Sequence, residues 1–118
     1  MFPPAMLEKL YVKGSLKNTE TGFELLLRNN IDSGTAIGFG PLVVDGASYP
    51  AEALTLQTRW GQWRADQISF RSPVPVGLGT EIKVSVAGQP LAPGAHHLGF
   101  TVLVSEIGRI QFEAADQL

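Results

Sequence analysis

The feature that most constrains this chain is a two-residue rhythm of apolar and polar side chains. It is cleanest at "EIKVSVAG" (81–88), where Ile82, Val84 and Val86 fall on one face and Glu81, Lys83 and Ser85 on the other. Successive side chains of a strand point to opposite faces, so this pattern marks a strand with one buried face. The rhythm returns at Leu10, Val12, Gly14 and Leu16, and then at Phe23, Leu25 and Leu27. It recurs at Leu54, Leu56 and Thr58, at Leu98, Phe100, Val102 and Val104, and at Ile110 and Phe112. No segment sustains a 3.6-residue period. "PPAMLEKL" offers a single helical turn, with Pro4 near a first-turn position.

Between these runs lies turn chemistry. "NTETG" (18–22) turns the chain between two strands, so residues 10–29 read as a β-hairpin. "NIDSGTAIG" (30–38) reads as a break. Leu42–Val44 forms a short strand that ends at Asp45-Gly46, a dipeptide suited to hairpin turns because glycine accepts positive φ. "RSPVPVGLGTE" (71–81) is a punctuated connection, since Pro73 and Pro75 cannot donate to a central ladder. "QPLAPGA" (89–95) and "IGR" (107–109) are further turns. Seven to nine short strands at this spacing predict an all-β fold. We expect one domain over residues 1–118, an antiparallel β-sandwich of immunoglobulin-like or jelly-roll plan.

Composition narrows the function classes. The net charge is -2 and only 17% of residues are charged. No basic patch stands out, so neither a nucleic acid nor an anionic membrane surface is an expected partner. No run of ~18 apolar residues occurs to span a membrane. "MFPPAMLEKLYV" lacks the basic start and apolar run of a signal peptide. The chain has no cysteine, so disulfides and thiolate metal sites are excluded and a cytoplasmic location is expected. Low surface charge also points to self-association.

Few residues suggest chemistry. Gly38-Phe39-Gly40 and Gly77-Leu78-Gly79 complete no dinucleotide fingerprint and read as turn glycines. His96 and His97 are adjacent, so a strand would send them to opposite faces and they cannot easily share a metal. Glu106 sits near Arg109 across a turn, which predicts a local ion pair. A small self-sufficient enzyme would draw on Glu106 or His97. We expect no catalytic residue, no metal and no cofactor in this chain.

The strongest signal is "TRWGQWRAD" (58–66). Trp60 and Trp63 stand three apart, flanked by Arg59 and Arg64. The stretch lacks clean alternation and reads as a loop or a single helical turn. Three roles stay open for it. The rings could be core, with each indole N–H finding a partner. They could be a platform stacking on a sugar. Or Arg59, Trp60, Trp63 and Arg64 could form a protein-docking patch, since tryptophan beside arginine is the composition of interface hot spots.

Three segments together carry a family resemblance: "GSLKNTETGFELLLRN" (14–29), "PLVVDGASYPAEALTLQT" (41–58) and "LAPGAHHLGFTVLV" (91–104). They resemble the small β subunit of bacterial C-glycoside deglycosidases. The resemblance implies a non-catalytic β-sandwich subunit of a lyase. Its partner would be a larger barrel subunit that carries a divalent metal and whose active site it shapes. The alternative is a carbohydrate-binding or other interaction module.

Overall fold

The computed structural model describes residues 2–118. Pro4–Leu7 form a single α-turn, α1, which continues as a 3-10 turn over Glu8–Leu10. Eleven strands follow among the described residues. They are β1 (Lys17–Thr19), β2 (Gly22–Arg28), β3 (Gly34–Phe39), β4 (Leu42–Val44), β5 (Ala47–Tyr49), β6 (Leu54–Thr58), β7 (Gly61–Arg64), β8 (Val74–Val76), β9 (Glu81–Ala87), β10 (Ala95–Val104) and β11 (Gly108–Gln117).

The strands make two antiparallel sheets that face each other across one core. One sheet has the order β1-β2-β9-β6-β7. The other runs β5-β4-β10-β3-β8, with β11 also on β10. Along one edge β10 pairs with β11 through ten residue pairs. Its other edge is shared: β4 takes Leu98 and Gly99, and β3 takes Val102 to Val104. The expected antiparallel sandwich is the observed architecture.

Alternation supplies the core. Phe23, Leu25 and Leu27 of β2 pair in register with Val86, Val84 and Ile82 of β9, and all of these but the half-buried Ile82 are buried. Leu98, Phe100 and Phe112 come from the opposite sheet, where Phe100 stacks on Phe112 at 4.8 Å. Burying each such side chain stabilises the fold by roughly 1.5–3 kcal/mol. The Asp45-Gly46 hairpin forms as expected: both residues have positive φ (51° and 85°) between β4 and β5.

Several boundaries differ from the sequence reading. The first hairpin is shorter, because Gly14 at φ 84° turns the chain and only Tyr11 makes an isolated bridge, to Leu27. Tyr11 points inward there and Val12 is only half-buried. The break at 30–38 contains β3. A register shift opposite Leu103 and Val104 turns Ala36 and Phe39, three apart, both inward, and so erases the alternation. The proline-punctuated connection contains β8, an edge strand whose Pro75 faces solvent opposite Thr35; an edge is where a ladder tolerates proline.

Candidate functional site

The tryptophan stretch is a hairpin, β6–β7, at the outer edge of the first sheet. Its tip is Arg59-Trp60, and the Trp60 N–H donates to Thr58 Oγ1 at 3.0 Å. The two rings have different fates. Trp63 lies opposite Leu56 in the ladder and packs half-buried against the core. Opposed residues of an antiparallel pair share a face, so the inward-facing Leu56 dictates this. Trp60 projects from the tip, 67% exposed, with the Arg59 guanidinium 5.2 Å above its ring. Arg64 turns to Asp66 in a two-point ion pair. Hydrogen bonding to Asp66 raises the Arg64 pKa, and the same contact lowers that of Asp66. Arg59 and Trp60 therefore form one exposed unit, while Trp63 packs on the core and Arg64 pairs locally with Asp66. A platform of two exposed rings does not form.

The histidines separate as their adjacency predicts. His96 is buried and His97 is exposed. His96 Nδ1 lies 2.5 Å from Asp45 Oδ2, and its Nε2 lies 2.6 Å from the Ala92 carbonyl. Both partners are acceptors, so the protonated ring, with a donor on each nitrogen, satisfies both contacts. The Asp45 contact and then the Ala92 carbonyl hold its pKa above the usual value. The His96 ring and the His97 N–H hold the Asp45 carboxyl below its usual range. His97 contacts Glu113 on β11 at the surface.

Glu106 does not turn to Arg109. Its carboxylate accepts the Thr35 N–H at 2.9 Å and the Thr35 hydroxyl at 3.0 Å, with Ser105 adding a third bond. The β10–β11 turn aims it across to β3 instead, and these bonds hold its pKa below the usual range. His97 and Glu106 sit toward opposite ends of β10, on the order of 30 Å apart along an extended strand. They cannot act on one substrate atom. Among the described residues, no group of three or more His, Asp or Glu is placed to hold a metal.

A cavity of about 300 Å³ opens between the two sheets at one end of the sandwich. Leu27, Ile82, Val76, Val102, Ile110 and Phe112 line it, and Phe2, Leu7 and Leu10 of the N-terminal segment add a wall. Asp32, Ser33 and Glu106 stand at its rim. Asn29 shapes one lip. Its amide nitrogen donates to the carbonyls of Asp32 (2.7 Å) and Val76 (2.9 Å), and its Oδ1 accepts the Ile31 N–H at 3.2 Å. A sealed, dry void of this size would cost on the order of 7 kcal/mol, and the open mouth reduces that figure. The sequence carries one trace of the cavity: half-buried aliphatic residues at strand ends, each ordinary on its own.

No helix among the described residues is long and apolar enough to cross a membrane. No curated protein matches the chain. A family model described as "Hydroxymethylglutaryl-CoA reductase, N-terminal domain" matches residues 6–118. This match overturns the resemblance to C-glycoside deglycosidase β subunits, together with the lyase-subunit function and the place in carbohydrate metabolism drawn from it. The reason is visible in the fold. The three segments behind the resemblance are the β1–β2 hairpin, the β4–β5 hairpin with β6, and β10. They carry turn and strand chemistry that any antiparallel sandwich needs, and so do not discriminate between families.

Proposed function

The chain belongs to the hydroxymethylglutaryl-CoA reductase N-terminal domain family, and from that premise we propose that it is a non-catalytic β-sandwich domain that docks onto the portion of a reductase carrying the chemistry. The observation behind this reading is the Arg59–Trp60 tip. An indole left 67% exposed and capped by a guanidinium is a large, rigid contact surface with directed hydrogen-bond donors beside it. The hairpin beneath it is anchored by Trp63, which packs against the core, so little order is lost when a partner covers the tip. A reductase also needs a place for its reductant. The two Gly-x-Gly pairs lie at the end of β3 and between β8 and β9, and neither opens a helix, so the reading assigns that task to the partner. The partner in this reading is the rest of the reductase, in place of the metal-bearing barrel subunit that the overturned resemblance implied. We place the domain in the cytoplasm, a reading supported by the absence of cysteine.

The test is to titrate the purified chain against the separately produced remainder of a reductase of this family and follow the heat of association. Trp60→Ala is expected to weaken association roughly 30-fold, the effect of removing a hot-spot residue. Equal affinity of the wild-type chain and the variant would remove the tip from the interface. A self-associated state that dissociates with Trp60→Ala, and no heat against the remainder, would reassign the surface to a second copy of the chain.

A further inference from the structure

We infer that the slot between the sheets binds a small aliphatic molecule whose head group is a hydrogen-bond donor, such as a medium-chain alcohol or amine. The inference is independent of the docking role, because from the β6–β7 hairpin it is the buried Leu56 that lines the slot, whereas the proposed docking tip is the exposed Arg59–Trp60 turn.

Size sets the first limit. A dry cavity of ~150 Å³ lined by leucine, isoleucine and phenylalanine accommodates benzene. The slot holds about 300 Å³ with the same kind of lining, which suits a chain of roughly eight carbons. Small-molecule sites begin near this volume and are mostly apolar with a few placed polar groups. The walls resist collapse, because Leu27 and Ile82 are paired in the β2–β9 ladder, and Val102 and Ile110 in the β10–β11 ladder. Asn29 ties the Val76 carbonyl to the Asp32 turn and keeps the lip in place.

The rim sets the head group. Its carboxylates are Asp32 and Glu106, while Arg28 is taken up by Glu81 at 2.7 Å. Thr35 spends both its N–H and its hydroxyl on Glu106. The mouth therefore offers acceptors and negative charge to an entering group. A hydroxyl or ammonium is favoured there, and a fatty-acid carboxylate is repelled.

The test is methyl NMR of the full chain titrated with octan-1-ol, octylamine and octanoate, each well below its solubility limit or micelle concentration. Octanol and octylamine are expected to shift the methyl resonances of Ile82, Val102 and Ile110 in a saturable way, with octanoate at least about tenfold weaker. Val76→Phe fills the slot and is expected to abolish the shifts while the chain stays folded; Ile82→Phe serves the same end if that variant fails to fold. Glu106→Gln is expected to narrow the gap between octylamine and octanoate. Trp60→Ala is expected to leave binding unchanged, which separates this site from the docking tip. Saturation by none of the three probes, or unaltered binding in a folded slot-filling variant, would show the slot to be a packing gap. Equal affinity for octanoate would overturn the head-group assignment.

Discussion

The phenol of Tyr11 donates to Asp116 Oδ2 at 2.6 Å, a contact between residues 105 apart in the chain. The same carboxylate oxygen accepts the N–H of Gly14 at 2.9 Å and of Leu16 at 3.3 Å, and Oδ1 accepts the Gln117 N–H at 2.8 Å. Tyr11 bridges Leu27 along the edge of β2 away from β9, in one sheet, and Asp116 lies near the end of β11 in the other. One buried carboxylate thus pins the N-terminal segment to the last strand. Burial opposes its charge, but the bonds from Tyr11, Gln117, Leu16 and Gly14 outweigh burial and hold its pKa below the usual range. Burial, followed by the bond to Asp116, holds the Tyr11 phenol above its own usual range.

Removing this carboxylate strands the buried Tyr11 hydroxyl and Leu16 N–H at once, together with the part-buried N–H groups of Gly14 and Gln117. Asp116→Ala is expected to lower unfolding stability by about 3 kcal/mol in urea denaturation, and Tyr11→Phe by about 1.5 kcal/mol, since bonds to charged groups are each worth that order. The pH dependence follows from the depressed pKa. The folded value lies below the unfolded value of about 3.9, so the stabilisation is complete above that pH and is lost as pH falls through the folded value. Asp116→Asn should flatten this part of the acid limb of the stability curve.

His96 gives the opposite dependence. Its folded pKa is raised above the unfolded value of about 6.5, so its contribution is full below that pH and declines as pH rises through the folded value. Stability measured by denaturant titration is expected to fall from about pH 6.5 upward. His96→Gln should remove that slope while lowering stability at acidic pH. The partner carboxyl is depressed, so the Asp45–His96 pair contributes most between the two unfolded values, about pH 4 to 6.5.

Gly22 opens β2 where the backbone of β9 is closest. A Cβ built there would lie 1.9 Å from the Val86 carbonyl oxygen, and Gly22 itself has φ 155°. Neither the strand nor its neighbour can move without breaking the Gly22–Ala87 and Phe23–Val86 register. Gly22→Ala is expected to destabilise the chain by about 3 kcal/mol or more, as forced overpacking does. Gly46, at φ 85° with open space around it, should tolerate alanine far better, at about 1 kcal/mol of backbone strain. Paired denaturation curves of the two variants check the contrast.

The strands legible in the sequence are those whose inward faces keep strict alternation. β2 and β9 are examples, since their mutual register needs no irregularity. β3 was hidden because a register shift places Ala36 and Phe39 on the same face. β7 was hidden because, of its four residues, only Trp63 turns inward. At the candidate sites, the exposure of Trp60 and the division of labour with Trp63 depend on which residue opposes Leu56, and composition does not carry that register. The slot is less legible still, because its walls come from segments as distant as Leu7 and Phe112. Nothing in the local sequence marks Asp116 or Asp45 as a linchpin, because their partners are set by tertiary closure and not by neighbours in the chain.

The two tryptophans offer the sharpest test of the hairpin. Trp63 packs against the core from the ladder position opposite Leu56, so Trp63→Ala leaves a cavity beneath the edge strand and is expected to cost about 3 kcal/mol. Trp60 touches little of its own chain besides Arg59, and an exposed cation–π contact is worth about 0.5–1 kcal/mol. Trp60→Ala is therefore expected to change unfolding stability by at most about 1 kcal/mol. Fluorescence separates the rings without altering the fold. Trp60→Phe leaves only the half-buried indole and should shift the emission to shorter wavelength, whereas Trp63→Phe leaves the exposed indole and should shift it to longer wavelength. Matching spectra from the two variants would mean that the hairpin does not hold one ring in and one ring out.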